Sequence, residues 1–198
     1  MPFRKRLREY LQKITEPIFA TGNAILHKLR SNILLLIILI ALIILTGSFV
    51  RNLFIVLAFY VLASISLFYN RWLKISLGFE FITFATVFMG ILYGPVVGAL
   101  VGFFSLTTAE LITLRFTGST IISLVAISFI GIISHNFASM DIRYAGILLA
   151  FIYDLIIIPL YILTGSHPLR SFLFMGTHLL WNGWLFFTIA PTLMQLLA

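Results

Sequence analysis

The sequence has no cysteine and little charge: its 198 residues include 13 Lys and Arg, six Asp and Glu and four His, and charged residues make up 10% of the chain. Without cysteine there can be no disulfide, thiolate metal ligand, iron–sulfur cluster or thiol nucleophile. The chemistry left is that of carboxylate, imidazole, hydroxyl and amide. Ordinary soluble domains carry about 25% charged residues, so this composition excludes a water-facing surface over most of the molecule. The sequence also lacks a P-loop, an H-E-x-x-H signature and histidines spaced to hold a metal or haem. No metal and no cofactor are therefore expected, and any ATP-driven work falls to a separate subunit.

What the chain has in quantity is apolar residues, at 61%, with a mean hydropathy of +1.13. A hydrocarbon core about 30 Å thick takes about 20 helical residues per crossing. The pattern predicts an all-α, polytopic transmembrane helical bundle of about seven spans, near 32–50, 53–70, 76–93, 95–114, 118–136, 144–163 and 171–196. Short polar connections separate them, at Arg51 and Asn52, 70–74, Gly94 and Pro95, 115–119, 136–143 and 164–170. Residues 31–198 form the transmembrane domain on this reading.

Residues 1–30 differ in character. Seven of the 13 basic residues lie there, and Arg4, Lys5, Arg6, Arg8 and Lys13 alternate with Phe3, Leu7, Tyr10, Leu11 and Ile14. That spacing predicts a basic amphipathic helix at the membrane surface with anionic lipid as its partner, rather than a nucleic-acid site. The basic stretch is longer than that of a cleavable leader, and the apolar run after it is long enough to be a permanent span. With the N-terminus cytoplasmic and seven spans, eleven basic residues fall inside and only Arg51 and Arg143 outside, as expected for a multi-pass protein of the cell membrane.

Two patterns stand out within the spans. Gly90, Gly94, Gly98 and Gly102 recur every four residues around the Gly94-Pro95 turn, a small-residue stripe suited to close helix packing or partner docking. The second pattern is the carboxylates, which are costly inside a membrane and tend to mark functional sites. Asp154 lies about ten residues into its span, roughly 15 Å deep. Folding the last two spans back on each other brings Asp154, His178 and Asn182 to one level, with Trp181 adjacent. The cluster then either binds a polar substrate or relays a proton, or it serves as an interhelical hydrogen-bond knot. By the same folding, Glu80 and Glu110 fall at one level near Lys74 and Arg115. They are either end-of-span residues paired with basic neighbours or a gate and docking site.

The run KISLGFEFITFATVFMGILYGPVVGALVGFFS, with its entry at 74–77, Gly90, Gly94-Pro95, Gly98 and Gly102, resembles the substrate-binding S components of energy-coupling-factor transporters. The resemblance implies a six-helix core, here with one extra N-terminal span. It also implies capture of a vitamin or similar small molecule, and docking on a membrane scaffold protein driven by paired ATPases. The run from His178 to Asn182 looks like the histidine and asparagine helix of rhomboid proteases, but the glycine-x-serine-glycine nucleophile motif is missing. No catalytic residue is assigned. The leading expectation is a non-enzymatic substrate-binding or transport subunit; the alternatives are a membrane scaffold and, behind it, an integral-membrane hydrolase.

Overall fold

The computed structural model describes residues 32, 33, 35, 37, 38, 40, 42, 46–72 and 77–197. The expected amphipathic helix over 1–30 and the position of Lys74 lie outside these. The chain divides into two compact units, Met1–Leu53 and Phe54–Ala198. In the first unit the described residues are helical and nearly all exposed.

Among the described residues there is no strand. Five helices are long and apolar enough to cross a membrane: α1 (Thr46–Arg71), α3 (Pro95–Thr113), α4 (Gly118–Ser134, prolonged to Phe137 by a 3-10 turn), α5 (Ile142–Leu163) and the run Pro168–Leu197. That last run consists of α6 (Pro168–Trp184), a π-helical turn over Leu185–Ile189 and α7 (Ala190–Leu197). Between α1 and α3 lies α2 (Ile82–Tyr93).

Two expected boundaries move. Arg51 and Asn52 do not make a turn; they lie inside α1, because neither residue breaks the backbone ladder as proline or glycine would. The expected span over 76–93 is shorter than the apolar run suggests. α2 has twelve residues, about 18 Å of helix, too little to cross a bilayer alone, and 77–80 is not helical. Glu80 explains the start: its carboxylate accepts from the backbone N–H groups of Ile82 and Thr83, at 2.9 Å for Thr83, and so caps the helix.

α2 is buried on every side, as an evenly apolar helix should be, and packs against α3, α4 and α5. The glycine stripe makes this possible. A Cβ on Gly98 would lie 2.6 Å from Gly90 Cα and 2.8 Å from the Gly131 carbonyl oxygen, and one on Gly90 would overlap the Ser134 hydroxyl. Gly102 sits against Thr86 in the same way. Gly90, Gly98 and Gly102 are thus spent on packing within the chain, leaving no room for an outside partner helix. Gly94 has another role: its φ of 99° makes the turn between α2 and α3, followed by Pro95 at the first position of α3. The remaining starts are capped too, α4 by a Thr117 and Thr120 capping box and α5 by Asp141, which accepts from the Arg143 N–H at 3.0 Å.

Candidate functional site

The polar residues inside the second unit fall into two layers. The deeper layer is a chain of three side chains from three elements. His178 of α6 is fully buried; its Nδ1 lies 2.9 Å from both carboxylate oxygens of Asp154 on α5, with the hydrogen bond running to Oδ2. Its Nε2 lies 3.0 Å from Glu80 Oε1 and 3.1 Å from the Thr83 hydroxyl. The ring is held flat by Phe174, stacked at 5.3 Å, with Tyr153 at 5.6 Å.

The backbone of 77–80 is what brings Glu80 here. Gly78 crosses α6 at His178 so closely that a Cβ would overlap the histidine's own Cα and Cβ, and its N–H donates to the Thr177 hydroxyl at 2.9 Å. The Tyr69 hydroxyl donates to the Leu77 carbonyl, fixing the start of the same stretch.

Sequence reasoning placed Asp154 and His178 together, and they meet. Asn182 does not complete the cluster: its amide donates to the His178 carbonyl oxygen at 3.1 Å, one turn back along its own helix. Trp181 packs edge-on against Phe79 at 5.8 Å and stacks on Trp184 at 5.2 Å. The third member is Glu80, which was expected beside Glu110. The missed signal was Gly78, because a glycine two residues before an intramembrane carboxylate marks a backbone passing too close for a side chain. Three buried atoms nearby have no hydrogen-bond partner: Asp154 Oδ1, Asn182 Oδ1 and Trp181 Nε1.

The outer layer is a cavity of about 870 Å³ that opens at one end of the bundle. It is bounded by the C-terminal ends of α1, α3 and α5 and the N-terminal ends of α2, α4 and α6. Its wall is about half polar, with Glu80 and Thr83 on one side, Glu110 and Arg115 at the end of α3, Thr117, Ser119, Thr120 and Ser123 on α4 and the residue before it, Tyr161 on α5, and His167 and Arg170 at the start of α6, set among leucines, Ile82 and Phe174. Arg115 donates to the Asn70 carbonyl oxygen at 3.3 Å, and the Tyr161 and Ser123 hydroxyls share a hydrogen bond. Glu80 and Glu110 therefore do share a surface, but Glu80 takes His178 as its ionic partner and neither Glu80 nor Glu110 pairs with Arg115 within ion-pair distance. Leu114, at the cavity edge, adopts a left-handed φ of 57° to end α3.

Of the residues expected to touch substrate, Asp154, His178, Asn182 and Trp181 do not line this cavity. Asp154, His178 and Asn182 have no exposed surface at all. Glu80, with 6% of its surface exposed, and Thr83, whose hydroxyl also reaches His178 Nε2, belong to both layers. Among the described residues no cluster of His, Asp and Glu has the form of a metal site.

Fold and site together define an all-helical protein with helices of membrane-spanning length and a polar cavity at one end. No family model, no curated protein and no solved structure matches the chain, so its function has to be read from this geometry.

Proposed function

We propose that the protein is an integral membrane subunit that binds a small polar molecule for transport, with the molecule held in the cavity formed by the ends of α1 to α6. The observation that carries this reading is the cavity itself. An apolar bundle gains nothing by keeping about 870 Å³ open and lining it with two carboxylates, two guanidinium groups and a row of hydroxyls, since each of these is costly away from water without a partner. The volume lies within the range of ligand pockets, about 300–1,000 Å³. The non-helical stretch 77–80 supports the same reading, because irregular backbone is tolerated among membrane helices where it lines a cavity. On this proposal the glycine and proline hairpin is the shared packing device that underlies the resemblance to the S components, and a vitamin-like molecule fits the volume.

The test is native mass spectrometry of the gently purified protein. A small molecule bound at one per chain, retained by the wild type and lost on Glu110→Gln or Arg115→Ala with the thermal midpoint unchanged, is the expected result. A chain carrying lipid alone, or a bound molecule indifferent to both substitutions, removes the reading.

A further inference from the structure

The buried chain Glu80, His178 and Asp154 is not used by ligand binding, since only its first member reaches the cavity. Its hydrogen bonds set its proton content. One imidazole bridges two carboxyl groups, so each of its nitrogens must either donate to a carboxyl oxygen or accept from a carboxylic acid. An imidazolium between two carboxylates satisfies both bonds, and so does a neutral imidazole between one carboxylate and one carboxylic acid. Either way two protons are shared over three groups and the net charge is −1. A third proton, placed on one of the carboxyl groups beside the imidazolium, keeps both bonds and brings the cluster to neutrality.

No Lys or Arg lies within ion-pair distance of Glu80 or Asp154 among the described residues. The other titratable or charged groups around the chain and its cavity are Tyr69 from α1, Glu110 and Arg115 at the end of α3, Tyr153 and Tyr161 from α5, and His167 and Arg170 at the start of α6; α4 contributes only hydroxyls to this wall. The N-terminal N–H groups of α2 donate to Glu80 and so favour its carboxylate form by direct hydrogen bonds. The same hydrogen-bond geometry is satisfied with two protons or with three.

We propose that this chain is an exchangeable proton site that loads and unloads through the cavity, making ligand binding at the cavity proton-linked. Glu80 is the port: its carboxylate takes a proton from cavity water while His178 Nε2 keeps its own, and the Nδ1 proton passes to Asp154, leaving a neutral imidazole that donates to Glu80 and accepts from Asp154; unloading reverses both steps. Asp154 is the inner end of the chain, with no exposed surface and one oxygen free of any hydrogen bond. The linkage to ligand rests on the cavity reading above; the proton site does not.

The full-length protein labelled with 15N-histidine answers the question without knowledge of the ligand. His178 is one of four histidines, and its signals are those lost in His178→Gln. Nuclear magnetic resonance of the imidazole and infrared spectroscopy of the protonated carboxyl band, followed from about pH 5 to 8, should show both signals changing over the same interval as the cluster as a whole takes up one proton. The carboxyl band should vanish in Asp154→Asn or Glu80→Gln, and Glu80→Gln should abolish the titration of His178. Imidazole and carboxyl signals that stay constant over this range in folded wild-type protein overturn the proposal, whatever the variants do. A His178 titration that persists in Glu80→Gln overturns the cavity route. A titrating chain in a protein that binds no small molecule leaves this site standing and removes the proposed function; a bound molecule with a silent chain does the reverse.

Discussion

The two ends of α2 are built on opposite principles. At its C-terminal end Gly90, Gly98 and Gly131 let three helices approach to backbone contact, with the Ser134 hydroxyl turned back onto the Gly131 carbonyl at 2.8 Å. At its N-terminal end Glu80 and Thr83 meet His178 and the helix opens onto a polar cavity. Apolar burial drives little association within a bilayer, so the first end is held by close dispersion contact and the second by hydrogen bonds among buried polar side chains. One end cannot accept an added atom, and the other cannot lose a partner.

The largest effect is expected at the polar end. His178→Ala leaves Glu80 and Asp154 buried without their common partner, a loss of about 3–5 kcal/mol. The thermal midpoint of the purified protein should fall accordingly, and a midpoint close to wild type would show that the bridge contributes little to folding. At the dry end Gly98→Ala forces a methyl group into contact with Gly90 Cα and the Gly131 carbonyl, both backbone atoms that cannot swing aside. That should cost about 1–3 kcal/mol and leave proton exchange and ligand binding intact in the fraction that folds. If His178→Ala and Gly98→Ala prove strongly non-additive, the two ends are coupled through α2 and the contrast between them weakens.

The smallest effect lies outside both ends, at the start of α5. Asp141 is exposed, and bonds from the Arg143 guanidinium and then its backbone N–H hold the carboxyl down to about 2 from an ordinary 3.8. Because the folded value is the lower one, the cap's contribution is fully present above the ordinary value and is lost as pH falls through about 2. Asp141→Asn should therefore lower the midpoint slightly at neutral pH and by less as pH drops below about 4, a difference read from paired melting curves. A gap that widens in acid would place the cap's effect elsewhere.

Much of the architecture was legible because membrane helices announce themselves by length and hydropathy. The bounds of α3, α4 and α5 lie close to those expected, since Pro95, Gly118 and Asp141 sit where a helix has to begin. α2 was misjudged because an apolar run reads alike in a helix and in an extended stretch, and only Gly78 and Glu80 tell them apart. The meeting of Asp154 with His178 followed from counting residues back from one loop. Glu80 could not be added by such counting, because its partner is 98 residues away and is reached through the tight crossing of Gly78 over α6.

The sequence by itself therefore determined that this is a helical chain of membrane-spanning character, where most of its helices start, and that a few carboxylates and one histidine would have to find partners among apolar neighbours. Composition and periodicity act locally, and a charge in an apolar segment requires a partner wherever the chain goes. Only the tertiary structure decided which partner: Glu80 rather than Asn182 completes the bridge, the glycines serve packing within the chain, and the ends of six helices leave a cavity. Those outcomes depend on how closely separate helices approach, a quantity set by all the packed side chains together and by no single stretch of sequence.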